Sequence, residues 1–128
     1  MTNDATAPLE NIVRSYFSAV AEGRWDDVLA LFHEDAVLNV AGVSPKHGHE
    51  RLRPFYENIG ARFDRYAPTV NRVLAEGNLE RGGAVAILVL NAVSRAGEPI
   101  EVHTADDFAI EDGRIRSLRI IFDTGLMR

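Results

Sequence analysis

The chain has 128 residues, of which 46% are apolar and 26% charged, and its formal net charge is -5 at pH 7. This length predicts one globular domain, and the acidic balance argues against nucleic acid and anionic membranes as partners, because both attract basic surfaces. Without cysteine the chain has no disulfide, thiol nucleophile or cysteine-bound zinc. No secretory signal and no bilayer-length apolar run is found, which predicts a cytoplasmic location.

The first part of the chain has the periodicity of helices. Residues 1–7 are small and polar and predict a flexible tail, which leaves 8–128 as the single domain. Two apolar stripes with helical spacing follow the tail. They are Leu9, Ile12, Val13, Tyr16, Phe17 and Val20, then Trp25, Val28, Leu29 and Phe32. Gly23 lies between the stripes and is predicted to cap the first helix.

A short strand and a third helix are predicted next. The strand is Ala36–Val40, and the glycine- and proline-containing stretch Gly42–Gly48 is expected to be a loop. Pro54 would interrupt a helix that begins before it, so the third helix is expected to begin near Arg53 or to kink at the proline. Its apolar face comprises Leu52, Phe55, Tyr56, Ile59 and Phe63.

The second half of the chain is rich in strand-forming residues. The predicted strands are Thr69–Leu74, Ala84–Val93, Ile100–Ile110 and Ile115–Phe122. Asp112-Gly113 between the last two is a strong hairpin signal. Helices followed by strands indicate an α+β fold, in which three helices pack on the concave face of a curved antiparallel sheet. Such a sheet forms a cone whose apolar interior suits a ligand.

Several short segments of the chain form a recognisable pattern. They are Tyr16-Phe17-x-Ala19, Leu31-Phe32-His33-Glu34-Asp35-Ala36-Val37, His47-Gly48-x-Glu50-x-Leu52-x-x-Phe55-Tyr56, and Asp106-x-Phe108 followed by Asp112-Gly113-Arg114-Ile115. Together they resemble the nuclear transport factor 2-like superfamily, whose enzymes include ketosteroid isomerase, SnoaL-like polyketide cyclases and limonene epoxide hydrolase. The resemblance spans about Leu9 to Phe122 and implies the cone-shaped fold, but such a fold hosts many functions.

The resemblance also implies a site. The tyrosine and the protonated aspartic acid of the ketosteroid isomerase oxyanion hole fall on Tyr16 and Asp106, and its two supporting tyrosines fall on Tyr56 and Phe32. The general base of the isomerase falls on Asn39, an amide that does not take up a proton near neutral pH. The supporting network is therefore expected to be shorter here, and an isomerase mechanism would require a one-residue slip or another group to supply the base.

The other enzymes of the superfamily match to different degrees. The catalytic aspartate of the epoxide hydrolase falls on Ile120, and the strand Ala84–Val93 contains no Arg-x-Asp pair. The polyketide cyclases resemble the chain more closely, with one acid/base aspartate at the position of Asp106.

The residues themselves also single out Asp106. Strand alternation puts Val102, Thr104, Asp106, Phe108 and Ile110 on one mostly apolar face, which predicts a lone carboxylate inside the cone. Burial raises a carboxyl pKa and suits the group to acid/base work. The alternatives are a slip that turns Asp107 inward, or an Asp106 that caps backbone.

The leading hypothesis is a cofactor-free enzyme of the isomerase or polyketide-cyclase type that acts on a hydrophobic small-molecule carbonyl compound. Asp106 and Tyr16 are the predicted catalytic residues, although a buried tyrosine is often a core residue. The predicted substrate-binding residues are Asn39, Tyr56, Phe55, Phe32, Phe108, Phe122 and Trp25. The alternative is a non-catalytic small-molecule-binding or dimerisation module.

The remaining predictions concern a metal ion and a partner chain. The four histidines lack the spacing of a metal site with one another or with carboxylates, so no metal is expected. The resemblance implies a homodimer through the outer face of the sheet. That face is predicted to carry His103, Ala105, Asp107, Ala109, Arg119 and Ile121.

Overall fold

Two helices, a short strand pair and a third helix precede four long strands in the computed structural model, which describes residues 5–122. The helices are α1 (Ala7–Glu22), α2 (Trp25–Ala30) and α3 (His49–Arg62). The strands are β1 (Phe32–Val40), β2 (Lys46–His47), β3 (Phe63–Gly77), β4 (Arg81–Ser94), β5 (Pro99–Glu111) and β6 (Arg114–Ile121). Residues 1–4 of the predicted tail lie outside the described part, and α1 begins at the last tail residue.

Helix α1 forms where its apolar stripe predicts it. The stripe turns toward the sheet, and its buried members are Leu9, Val13, Tyr16, Phe17, Ala19 and Val20. Gly23 ends the helix in the left-handed conformation with φ 70°, and its N–H donates to the Val20 carbonyl. The predicted glycine cap is confirmed, because only glycine takes up this conformation without steric cost.

The boundaries of the next elements correct two predictions. Phe32 does not belong to the second helix, which ends at Ala30, but is the first residue of β1. The cause is long-range pairing: the Ile115 N–H donates to the Leu31 carbonyl, and Phe32 lies opposite Ile115 on β6. Part of the predicted loop, Lys46–His47, forms β2 against β1.

Helix α3 and strand β3 also differ from the sequence prediction. Helix α3 begins at His49, so Pro54 lies inside it, and the helix does not start near Arg53. Phe63 is the first residue of β3 and does not extend the apolar face of α3. Strand β3 is therefore six residues longer at its start than the predicted Thr69–Leu74, because it pairs with β4 as far as Ser94.

The strands form one curved sheet in the order β2-β1-β6-β5-β4-β3. The predicted α+β class with a cone-like sheet is confirmed. One pairing differs from the predicted antiparallel arrangement: β1 runs parallel to β6, so the sheet is mixed. Irregular pairing between Val70 and Arg72 interrupts the β3–β4 ladder, and such bulges bend and twist a sheet.

The concave face of the sheet holds the core. Inward residues of the central strands are buried, including Ala84, Ala86, Leu88, Phe108, Ile110 and Leu118. Helix α1 packs over β3 and β4, and α3 packs over β1 and β3. Asp106 lies in this apolar layer, with Ala86 of β4 on one side and Ile120 of β6 on the other.

No helix among residues 5–122 combines the length and the apolar character needed to cross a bilayer. The cytoplasmic location predicted from the sequence stays a prediction.

Candidate functional site

A cavity of about 250 Å³ lies between the inner face of the sheet and helices α1 and α3. Most of its wall is apolar, including Phe17, Val20, Ile59, Leu88, Val102 and Ile120. The polar residues of the wall are Tyr16, Asn58, Arg62, Tyr66, Thr104 and Asp106. The volume lies slightly below the usual range for ligand pockets, roughly 300 Å³ upward, so it suits a compact molecule.

Asp106 is the buried carboxylate of this wall. Its side chain faces inward as predicted, and the residue is 3% exposed, whereas Asp107 is exposed on the other face. The Thr104 hydroxyl donates to Oδ1 of Asp106 at 3.2 Å. No fully enclosed side-chain nitrogen or oxygen among residues 5–122 lacks a hydrogen-bond partner, so the unbonded Oδ2 opens onto the cavity. The alternatives of a slipped register and of a backbone cap are not what the structure shows.

The surroundings of Asp106 change its protonation. Burial raises the pKa of the carboxyl to about 7, and the hydrogen bond from Thr104 opposes this rise only in part. Near neutral pH, the group is therefore present in both protonation states. Such a carboxyl can take up and release a proton within one reaction cycle.

Tyr16 and Tyr56 form a buried pair, with 2.8 Å between their hydroxyl oxygens. Tyr56 is 1% exposed and does not line the cavity, whereas Tyr16 does. When Tyr56 is the donor of this hydrogen bond, its proton is used within the pair and the Tyr16 proton is free to point at a ligand. Burial and the neighbouring Tyr56 and Asp106 raise the pKa of Tyr16 well above its usual value, so Tyr16 stays a donor.

Tyr66 is a second cavity hydroxyl that the sequence reasoning missed. It lies on β3 opposite Ala92 and lines the cavity. Burial, with a smaller contribution from the charge of Asp106, raises its pKa, so it also remains protonated. Among residues 5–122 no hydrogen bond engages its hydroxyl, which leaves this donor available to a ligand. Thr104 was placed on the inner face by alternation but not recognised as the partner of Asp106.

The predicted substrate-binding aromatic residues divide into two groups. Phe55 and Phe122 line the cavity. The others, Tyr56, Phe32, Phe108 and Trp25, do not line it and pack behind Tyr16. The rings of Phe32 and Phe108 lie 6.0 and 5.3 Å from the Tyr16 ring, and Trp25 stacks on Tyr56 at 6.1 Å. Phe32, Phe108 and Tyr56 of this second group therefore pack directly around the Tyr16 ring, and Trp25 packs on Tyr56.

Asn39 is the remaining predicted ligand contact, and its position corrects that prediction. On β1, Leu38 is buried and Val40 lines the cavity, so the intervening Asn39 faces the outer side of the sheet. Its neighbour on β6 is Arg119, which is exposed. Strand β1 therefore contributes the apolar side chain of Val40 to the cavity wall, and it contributes no amide or carboxylate.

The described residues contain no cluster of three or more histidine, cysteine or acidic side chains that would hold a metal ion. Within residues 5–122, Asp106 is the one carboxylate of the cavity wall. The chemistry that this wall offers is thus one titrating carboxyl beside two tyrosine hydroxyls in apolar surroundings.

Comparisons with known proteins give a family and a set of similar folds. The family model of the SnoaL-like domain matches residues 13–118. No protein with a curated description matches the chain.

Solved structures with the same architecture come from several kinds of protein. An LEH-like epoxide hydrolase from M. tuberculosis is 18% identical with a TM-score of 0.79, and the match covers 98% of this chain and 89% of that one. The epoxide hydrolase/cyclase-like enzyme SalBIII, from pyran ring formation in salinomycin, is 20% identical with a TM-score of 0.80 over 95% of both chains. A protein with a ketosteroid isomerase-like fold from Catenulispora acidiphila is 15% identical with a TM-score of 0.77, over 88% and 85%. At these identities the similarity establishes the fold.

Proposed function

The chain belongs to the SnoaL-like domain family, and from this premise we propose that it is an acid/base enzyme that acts on an apolar carbonyl compound without a cofactor. The observation that carries the proposal is the free oxygen of Asp106, which opens into an apolar cavity beside the hydroxyls of Tyr16 and Tyr66. A base and hydrogen-bond donors around one small space are what proton removal next to a carbonyl group requires.

The first step uses the ionised form of Asp106. Its free oxygen takes a proton from the carbon next to the substrate carbonyl: a C–H bond breaks, an O–H bond forms on Asp106, and the electron pair moves to the carbonyl oxygen. Tyr16 and Tyr66 donate hydrogen bonds to this enolate oxygen. The apolar wall strengthens both interactions, because water is not there to compete.

The second step returns the proton. Protonated Asp106 has two possible acceptors. In an enolate conjugated with a C=C bond it protonates the far carbon, which moves the double bond and gives an isomer. Alternatively it protonates the alkoxide formed when the enolate carbon attacks a second carbonyl group, which closes a ring. Both outcomes leave Asp106 ionised and ready for another cycle. Ring formation is also the process named for SalBIII, which shares this fold.

Epoxide hydrolysis is the less suitable reaction for this wall. It requires one group that activates water and another that protonates the epoxide oxygen. In the described part of the cavity wall, β6 contributes Ile120 beside Asp106 and β1 contributes Val40, so neither strand offers a second carboxyl. One carboxyl that shuttles one proton therefore fits the site better than a pair of acids.

The proposed enolisation can be measured on a model ketone. In deuterated buffer, 2-tetralone, an apolar ketone with fused rings, exchanges the protons next to its carbonyl group each time an enolate forms, and NMR records the exchange. We expect the protein to accelerate this exchange. A protein that binds 2-tetralone without accelerating its exchange would be a binding module and not an enzyme of this kind.

Tyr16→Phe tests the donor directly. Removing one hydrogen bond to a developing oxyanion should slow the exchange by about 100- to 1,000-fold. Tyr56→Phe is the matched control: it removes a hydroxyl from the same buried pair but leaves the Tyr16 proton available, so its effect should be at least about 10-fold smaller. Equal losses in the two variants would show that the pair acts only through packing.

We also propose that the outer sheet face joins two copies of the chain. The outward residues of β4 are Val85, Ile87 and Val89, and the exposed Leu74 and Ile121 extend this apolar strip. Such a strip is typical of a dimer interface. Sedimentation should give a dimer mass for the wild type and a monomer mass for Ile87→Asp; a monomeric wild type would contradict the proposal.

A further inference from the structure

The cavity wall has polar residues at two separate places. Asp106, Thr104 and Tyr66 stand on the strands, and Tyr16 of α1 lies near Asp106 and Tyr66. The others on the helical side, Asn58 and Arg62, lie four residues apart near the end of α3, and therefore on one face of the helix. Both are exposed to solvent, in contrast to Asp106, so they mark the opening of the cavity. A molecule that fills the cavity would have one polar end at the sheet and another at Arg62.

Arg62 has no ionic partner in the described part of the chain. The acidic residue two positions along, Asp64, is bound by Arg95 at 2.9 Å. Arg95 also donates to the carbonyls of Gly60 and Ala61, so it occupies the exposed carbonyls at the end of α3 as well. The Arg62 guanidinium is thus the cation of the described cavity wall, and no carboxylate among residues 5–122 forms an ion pair with it.

We propose that the ligand of this cavity is an amphipathic carboxylate: its carboxylate group pairs with Arg62 at the opening, and its apolar body fills the cavity. A guanidinium binds a carboxylate through two parallel hydrogen bonds, and Asn58 offers a further amide donor on the same helix face. The other end is less favourable for the carboxylate, because the ionised form of Asp106 would repel it there. The position of the ligand carbonyl beside Asp106 rests on the proposed function, whereas the pairing with Arg62 does not.

Binding of two matched fluorescent compounds at about pH 8 tests the proposal. The compounds are 6-hydroxy-2-naphthoate and 2-naphthol, which share the fused rings and the hydroxyl group and differ in the carboxylate. Wild-type protein should bind the naphthoate about 10-fold more tightly, which corresponds to one added ionic hydrogen-bonded pair of about 1.4 kcal/mol. Arg62→Gln should abolish this preference and leave the affinity for 2-naphthol unchanged.

Arg65→Gln is the control, because Arg65 is an exposed arginine of neighbouring β3 that does not line the cavity. It should retain the preference, which excludes a general effect of net charge. Equal affinities of the wild type for both compounds, absence of binding, or equal losses in the two variants would overturn the proposal. If the preference is found but 2-tetralone does not exchange, only the proposed enzyme activity fails.

Discussion

Replacing Asp106 by asparagine should slow the exchange of 2-tetralone protons by about 100- to 10,000-fold, the usual contribution of a general acid or base. Asparagine has nearly the shape of aspartate and can still accept a hydrogen bond from Thr104, so the wall keeps its form. What is lost is the ability to take up a proton. The loss should appear in the rate and hardly in the affinity for 2-naphthol.

The pH dependence adds an independent test of the same residue. Because the ionised carboxylate is the base and its pKa is raised to about 7, the wild-type rate should rise with pH, be half-maximal near pH 7 and level off about one to two units higher. The residual exchange rate of the Asp106→Asn variant should not show this rise with pH. Glu111→Gln, an exposed change at the end of the same strand, should leave rate and profile unaltered. If the Asp106→Asn variant exchanged the 2-tetralone protons at the wild-type rate, Asp106 would not be the base.

The inward position of Asp106 could be predicted because β5 alternates clearly. Val102, Phe108 and Ile110 are buried, while Glu101 and His103 are exposed, so only one register gives an apolar inner face. The sequence pattern and the pairing of β5 with two neighbouring strands agree at this point. For the same reason the raised pKa of Asp106 followed from sequence alone.

The direction of the Asn39 side chain on strand β1 could not be predicted in the same way. Residues Ala36, Val37, Leu38 and Val40 are apolar on both sides of the strand, so alternation does not say which way Asn39 turns. Its direction is set by parallel pairing with β6, where Leu38 lies beside the buried Leu118. Such a contact joins distant parts of the chain and leaves no local signal.

Tyr66 was missed for a related reason. It stands between Asp64, Arg65 and Pro68, residues that do not favour a strand. The segment is extended because β3 pairs with β4 along its whole length. The strand predicted from the sequence began only at Thr69, so it did not include Tyr66. The aromatic residues around Tyr16 were predicted as ligand contacts because an apolar stripe has the same appearance in a cavity wall and in the core behind it.

Asp106 should also make the folded protein less stable as the pH rises from about 4 to about 7. Its carboxyl has a pKa of about 7 in the folded state, against 3.8 for the ordinary group. Between these values the folded state holds a proton that the unfolded state has released, so the free energy of unfolding falls as the pH increases. Below about 4 both states are protonated, and above about 7 both are ionised. The full penalty, about 4 kcal/mol on this difference in pKa, is therefore present at pH 8.

Asp106→Asn removes this titration, so its stability relative to the wild type should increase by several kcal/mol between about pH 4 and about pH 8. Urea unfolding of both proteins at the two pH values measures the change. Other carboxyls, such as Asp35 with a pKa lowered by Arg116, titrate in both proteins and cancel from the difference. A difference that does not vary with pH would show that the carboxyl is not held protonated. At about pH 8 the variant is therefore expected to have gained stability relative to the wild type and lost activity, because the ionised carboxylate that serves as the base is costly to bury.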